Sequence, residues 1–457
     1  MEAPLKQDSG RTAADRRKIT LATAIGNFVE WFDSGAYAVM SATIAGLFFP
    51  QYDSTASLLA TWAIFAGGFL ARPVGAAFFG HYGDRLGRNR ALALSVLLMS
   101  GATFLMGVLP TYSALGLAAP VLLFLLRTLQ GFSTGGEYTG ASAFIVEYAP
   151  DGRRARFAGA VPMTVGLASV TGSMVGFALT ATLSDAALES WGWRVPFLIA
   201  APLGLIGLYL RSKVEDTPVF RELEAREEVE ATPLRDAVRI CGRQIATLFG
   251  YSITNAVGYY LMSSYMIAYM SEELGYSSST AMLTSVVAMF FYCLACPVAA
   301  RASDRYGRKP LLLVACGGFA LLTLPAFALM GTGLAGAMAG TSVLGVLVAV
   351  IGTSNVPAMV EMFPGSLRAS GSAIGYTAAY VLFGGTAPFA ATGLVAASGT
   401  ALAPGFYLTG LAVVSALVVA FAFRETKRLS LSRTTLLDEP APAPVSSPGA
   451  RPPAPAP

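Results

Sequence analysis

Charged side chains are scarce in this sequence. They make up 13% of its 457 residues against 54% hydrophobic, about half the charged share of a soluble domain, which excludes an ordinary water-soluble fold. Histidine occurs once, as His81, beside Arg85 in a basic loop, so it reads as a solvated loop residue and not as a proton relay. The four cysteines, Cys241, Cys293, Cys296 and Cys316, fall in or near apolar stretches. The Cys293/Cys296 spacing resembles a metal or redox pair but has no further ligands nearby, so these residues read as helix packing and exclude a disulfide framework. There is no metal cluster, no nucleotide-binding loop and no nucleophile with an adjacent base. The chain is therefore not expected to be an enzyme, and no cofactor, metal or nucleic-acid partner is expected. The first apolar stretch is too long for the h-region of a cleavable signal peptide, and none is expected.

What the chain has instead is long hydrophobic runs. About 20 apolar residues are needed to cross a hydrocarbon core roughly 30 Å thick, and twelve such runs lie near 20–49, 56–80, 91–110, 118–147, 157–182, 193–211, 244–271, 277–300, 310–331, 336–362, 369–397 and 402–424. Cytoplasmic loops are enriched in Lys and Arg. With the N-terminus inside, all but Arg72, Arg127 and Arg194 of the 31 basic residues fall on the inner side, while Asp53, Asp185, Glu272 and Glu273 fall outside. The expected fold is thus an all-α integral membrane protein with both termini in the cytoplasm. Its parts are an N-terminal tail (1–19), a six-helix bundle (20–211), a central loop (212–243), a second six-helix bundle (244–424) and a Pro/Ala-rich tail (425–457) that cannot build a core. Arginine far outnumbers lysine, as in GC-rich bacterial genomes.

The two halves echo each other. GHYGDRLGRNR (80–90) after span two aligns with ASDRYGRK (302–309) after span eight, pairing Asp84 with Asp304, Arg85 with Arg305, Gly87 with Gly307 and Arg88 with Arg308; EYAP (147–150) likewise matches EMFP (361–364). Duplicated halves are a common transporter construction, with the substrate site near midplane where the halves meet. Gly80, Gly83 and Gly87 permit a tight connection. Asp84 can receive backbone N–H groups at a neighbouring helix N-terminus, and Arg85 and Arg88 can engage acids such as Glu147. With Glu361 on the other half, these residues form an inner-gate latch.

The pattern G-x-x-x-D-R-x-G-R resembles the signature of the major facilitator superfamily. GNFVEWFDSGAY (26–37), RTLQGFSTGGEYTGASAFIVEYAP (127–150), WGWRVPF (191–197) and EMFPGSLRASGSAIGYTAAYVLFGGTAP (361–388) are similar to its metabolite:proton symporters over most of residues 20–425. QGFSTGGEYTGAS, PLGLIGLYLRSKVEDTPVF (202–220) and TNAVGYYLMSSYM (254–266) look most like the proline/betaine branch. The resemblance implies a fold of two pseudo-symmetric six-helix bundles in the bacterial cytoplasmic membrane, acting as a monomer on a small solute and protons. Two departures stand out: a Pro/Ala tail replaces the C-terminal coiled coil often carried by that branch, and position 127 is Arg, as in the dicarboxylate branch.

Charges inside membrane helices cost about 2.5–3.5 kcal/mol each on insertion scales, which makes them functional candidates. Glu30 and Asp33 share a face of span one near midplane and are the candidate proton carriers, since a carboxylate alternating between an apolar site and a nearby Arg binds and releases a proton. Asn27 extends that stripe. On span four Arg127, Gln130, Thr134 and Glu137 share a face; Arg127 can pair with Asp33 or clamp a substrate carboxylate, and Glu137 can pair structurally with Arg72. In the second half, Asn255, Tyr259, Tyr260 and Tyr376 are binding candidates, the tyrosines as aromatic faces for a methylated ammonium. Arg127 in one half and aromatic faces in the other, with no basic residue inside the second half's spans, favour import of a proline- or betaine-like zwitterion with protons. Proton symport of a dicarboxylate such as α-ketoglutarate or citrate, and drug/proton antiport, are the alternatives.

Overall fold

The computed structural model describes residues 27–29, 31–32, 35–86, 88–134, 137–150, 152–212, 233–429 and 431. Glu30 and Asp33 lie outside the described residues, as do the side chains of the first loop motif (80–90) and of Glu137. Twelve helical spans cross the molecule. Span one ends at Ser41–Phe48, span two runs Ser54–Leu70 and Arg72–Leu86, span three is Arg88–Val108, span four is Ala118–Ser133 with Glu137–Tyr148, span five is Arg154–Ala158 with Ala160–Thr182, and span six is Val195–Ser212. Span seven runs Pro233–Tyr260, Leu261–Tyr265 and Met266–Glu272; span eight is Ser278–Tyr306, span nine Arg308–Met330 and span ten Leu334–Glu361. Span eleven is Arg368–Ala379, Tyr380–Gly384 and Ala387–Ser398, and span twelve Ala403–Phe421. Among the described residues eight of these helices are long and apolar enough to cross a membrane by length and composition.

Turn chemistry sets several of the span ends. Asp53 caps span two by accepting from Ala56 N at 2.9 Å, and Ser277 caps span eight by accepting from Thr280 N, each satisfying a backbone donor with no partner inside the helix. Gly307, from the repeated loop motif, has φ +113° between spans eight and nine, and a Cβ there would strike the Glu425 carboxylate. This is a turn for which glycine is required on both counts. Arg194, one of the three basic residues outside the inner loops, donates to the carbonyls of Gly107 (3.0 Å) and Leu109 (2.7 Å) at the end of span three. Its charge there meets the negative end of a helix.

Spans one to six and seven to twelve form two bundles. They meet where span five lies along span eight, where span two touches the second half of span eleven, and where the ends of spans four and five reach spans ten and eleven. Within the first bundle, spans two and four cross at Gly68 and Gly131, where backbone packs on backbone: a Cβ on Gly131 would overlap the Gly68 carbonyl. Such close crossings are how membrane helices gain dispersion contacts when lipid supplies no hydrophobic drive. Gly131→Leu is expected to lower the melting temperature of purified protein and to destabilise it by at least about 1–3 kcal/mol, the usual range for overpacking; an unchanged melting temperature would show that the crossing yields freely.

Two expectations change at the boundaries. The helix of span seven begins at Pro233, inside the stretch expected to be loop, and bends at Cys241 (φ −104°, ψ 18°). Residues 233–243 carry too many charges to register as membrane span but continue the helix on the face of the molecule where the basic residues gather. Residues 425–429 and 431, expected to open an unstructured tail, are held against that same basic face by the hydrogen bonds described below.

Candidate functional site

A narrow, partly open cleft lies between the halves. Span one contributes Trp31, Gly35 and Val39, one helical turn apart, span two contributes Phe65, and span five contributes Ser169, Gly172 and Ser173. Span seven faces them with Tyr259, Tyr260, Ser263 and Ser264. The aromatic residues interlock: Trp31 meets Tyr259 edge-on at 5.2 Å between ring centroids and lies nearly parallel to Tyr260 at 6.3 Å, while Phe65 meets Tyr260 edge-on at 5.9 Å. Ser263 and Ser264 come from a π turn at Leu261–Tyr265, an element that inserts one residue per turn and recurs at functional sites. Ser169 and the Tyr259 hydroxyl are bonded at 2.9 Å, Ser173 and Ser285 at 3.1 Å. The wall thus carries both π faces and hydroxyl donors.

Toward the basic face, rings from both halves close the floor. Tyr138 of span four stacks on Tyr376 of span eleven (4.9 Å, 9° between planes), Tyr376 stacks on Tyr380 (4.1 Å), and Trp31 meets Tyr138 edge-on at 6.0 Å.

Of the binding residues expected from sequence, Tyr259 and Tyr260 line this cavity and the others do not. Arg127 is 3% exposed and lies behind Phe65, its guanidinium 4.6 Å from that ring and 5.0 Å from the ring of Tyr37. It donates to the side chain of Gln130, which in turn donates to Thr103 at 2.6 Å. Thr134 bonds the Gly131 carbonyl. Asn27 donates to Thr164 (2.8 Å) and to the Val161 carbonyl on span five. Asn255 donates to the Tyr380 hydroxyl at 3.0 Å, and Tyr376 belongs to the floor. The physical reason is angular: rise along a helix gives depth, whereas which neighbour a face meets depends on how the helices cross. Arg72 packs its guanidinium 4.1 Å from the Phe69 ring; its expected partner Glu137 has a side chain outside the described residues. Trp31, Phe65 and the four serines were not expected.

The basic face is closed by a network of ion pairs. Asp304 accepts from the backbone N–H groups of Ala155 (2.9 Å) and Arg156 (3.1 Å) at the start of span five, in the opposite half. A carboxylate at a neighbouring helix N-terminus is the contact the motif leads one to expect of Asp84, and here it is made by the repeat mate Asp304; the side chain of Asp84 lies outside the described residues. Arg308 donates to Asp304 at 3.2 Å and grips Glu361 through two nitrogens at 3.1 and 3.0 Å, all three being buried. Two further pairs cross between the halves reciprocally: Arg154 to Glu361 at 3.4 Å and Arg368 to Glu147 at 2.8 Å. Glu147 and Glu361 are repeat mates, and the offset relating them also relates Arg154 to Arg368, so each arginine reaches the other half's glutamate. The described partner of Glu147 is Arg368; Arg85 and Arg88, expected to engage Glu147, have side chains outside the described residues.

The chain beyond span twelve ties into this network. Glu425 accepts from Arg308 N (2.9 Å) and Lys309 N (3.0 Å), capping span nine, and Thr426 donates to Glu361 at 2.7 Å. The carbonyls of Leu429 and Leu431 accept from Arg154 (2.7 Å) and Arg368 (2.6 Å). One short strand of chain thus bonds to both halves across their closed junction.

Comparison with known proteins agrees with this architecture. Residues 19–240 match the family model described as "Sugar (and other) transporter", and residues 247–454 that described as "Major Facilitator Superfamily". The chain is 35% identical over 433 residues to the proline/betaine transporter of Escherichia coli (strain K12), covering 92% of this chain and 85% of that protein. It is 36% identical over 442 residues to the glycine betaine/proline/ectoine/pipecolic acid transporter of Dickeya dadantii (strain 3937), covering 94% and 86%. Among solved structures, the proton:xylose symporter bound to 6-bromo-6-deoxy-D-glucose superposes with a TM-score of 0.75 at 18% identity, covering 92% of this chain and 98% of that one. The xylose transporter of E. coli in a partially occluded inward-open conformation superposes with a TM-score of 0.72 at 17% identity, covering 92% and 100%. With its two six-helix bundles, its repeated loop motif and these relatives, the chain belongs to the major facilitator superfamily and, within it, to the metabolite:proton symporter family that includes the proline/betaine transporters.

Proposed function

We propose that this protein is a proton-coupled symporter that imports a small zwitterion of the proline or glycine betaine kind. It works as a monomer in the bacterial cytoplasmic membrane, with the basic face and both termini in the cytoplasm. The observation that carries the substrate class is the cavity between the halves, walled by Trp31, Phe65, Tyr259 and Tyr260 and by serine hydroxyls. Aromatic faces attract a methylated or secondary ammonium by about 0.5–2 kcal/mol per ring, and hydroxyls donate to a carboxylate. The relatives described above are named as transporters of the same compounds. A dicarboxylate is disfavoured by the position of Arg127 behind Phe65, because a dianion would bring net negative charge into a cavity whose described walls carry no cation.

Charge movement tests this reading. A zwitterion travelling with one proton carries one positive charge inward, and a potential of 100 mV, negative inside, adds about 2.3 kcal/mol to uptake. Proteoliposomes on a solid-supported membrane are expected to give inward positive current on addition of glycine betaine or proline. Silence with both, and a response to α-ketoglutarate instead, would overturn the proposal in favour of dicarboxylate symport.

A further inference from the structure

The cavity has two chemically different ends, and they are stacked along the membrane normal. Span one runs from the basic face outward, so Trp31 lies about 12 Å nearer that face than Val39, eight residues on. Spans five and seven run the same way. Tyr259 and Tyr260 therefore lie at the basic-face end of the cavity with Trp31, whereas Ser263 and Ser264 lie about one turn (~6 Å) farther out, as Ser173 lies beyond Ser169. The aromatic end is continuous with the floor built by Tyr138 and Tyr376. The hydroxyl end is supplied by Ser263 and Ser264 of the π turn and by Ser173 of span five, all of which line the cavity.

Resting on the zwitterion reading above, we infer that the solute binds in one orientation, its ammonium group toward the basic face between Trp31, Tyr259 and Tyr260, and its carboxylate toward the opposite face on the hydroxyls of Ser173, Ser263 and Ser264. Arg127 is not the carboxylate clamp. The chemistry is self-consistent. Serine hydroxyls are rotatable donors that can leave their present mutual contacts, Ser173 with Ser285 at 3.1 Å and Ser263 with Ser264 at 3.4 Å, to donate to a carboxylate. A neutral hydroxyl set suffices because the ligand's own ammonium balances the carboxylate, so no net charge is buried. The separation of about one helical turn suits a ligand whose two charges are separated by one or two carbons, given that a cation acts on a ring within about 6 Å of its centroid.

Glycine betaine and choline share the trimethylammonium group, and only betaine carries the carboxylate. Full-length protein in liposomes is assayed by counterflow of labelled glycine betaine, with unlabelled betaine and choline as competitors. A Ser173→Ala/Ser264→Ala pair is expected to weaken competition by betaine about tenfold or more, since each lost hydrogen bond to a charged group accounts for about that factor, and to change competition by choline less than twofold. Ser264→Thr, which keeps a hydroxyl, should restore much of the betaine affinity in the presence of Ser173. Trp31→Leu is expected to weaken betaine and choline together. Equal loss of both competitors in the serine variants, or no loss of betaine, overturns the oriented site while leaving zwitterion transport intact. Failure of the unaltered protein to exchange betaine or proline at all overturns the zwitterion reading and this inference with it.

Discussion

Glu361→Ala is expected to open the basic face and to abolish coupled transport. The Glu361 carboxylate is buried and receives Arg308 through two nitrogens, Arg154 at 3.4 Å and the Thr426 hydroxyl at 2.7 Å. Removing one partner from a buried ion pair leaves an uncompensated charge, at a cost of about 3–5 kcal/mol. That cost falls on the closed arrangement, in which Arg308 is 1% exposed, and not on one in which the arginine reaches water. The equilibrium between closed and open basic faces should therefore shift by about 10²–10⁴-fold toward open. With the four native cysteines replaced, a cysteine at Ser142, buried on span four between the Tyr138 floor and Glu147, reports the change as faster alkylation from that face. Asp304→Asn should move labelling the same way but less, because an amide oxygen still accepts one of the two N–H groups at the start of span five. Asp84→Asn should resemble it if the first motif latches as its repeat does. Unchanged labelling at Ser142 in the Glu361 variant would mean that the network decorates a junction held shut by packing alone.

The spans and the ion-pair network of the basic face were legible in the sequence for different reasons. Hydrophobic runs and the sidedness of Lys and Arg are one-dimensional signals, and a bilayer enforces both, so the order of helices and the faces on which their ends lie follow directly. The contact at the basic face could be anticipated from duplication: Asp304, the repeat mate of Asp84, caps a helix N-terminus, the kind of contact read from the motif for Asp84. The reciprocal Arg154–Glu361 and Arg368–Glu147 pairs were within reach too, because the offset between EYAP and EMFP extends to the two arginines. The cavity was less legible. Trp31, Gly35 and Val39 stand at a spacing of four residues, a visible helical face, but the acids beside them are the stronger signal on an apolar helix. Ser263 and Ser264 reach the cavity through a π turn, which breaks the 3.6-residue period on which facial reasoning depends. Depth along span four could not show that Phe65 stands between Arg127 and the cavity.

That position gives Arg127 a different part in the coupling. Its guanidinium lies over Tyr37 at 5.0 Å, and Asp33 precedes Tyr37 by four residues, one helical turn in sequence register. Glu30 stands one residue before Trp31 of the cavity wall. We propose that one of these two acids carries the proton. A carboxyl in an apolar setting holds its proton, and approach of a guanidinium releases it, so movement of span one relative to span four between the two open states would bind the proton on one side and free it on the other. In proteoliposomes at 100 mV, negative inside, symport of a zwitterion with one proton supports an accumulation of about 50-fold, the ratio equivalent to 2.3 kcal/mol. Replacing the coupling acid by its amide, in Glu30→Gln or Asp33→Asn, should reduce that ratio to about one, because the loaded carrier no longer moves charge. Counterflow of labelled betaine should persist in the same variant, since exchange needs only the binding cavity and alternating access. Loss of both accumulation and counterflow would assign the residue to binding or folding instead of coupling, and full accumulation in both amide variants would place the proton on a group elsewhere in the chain.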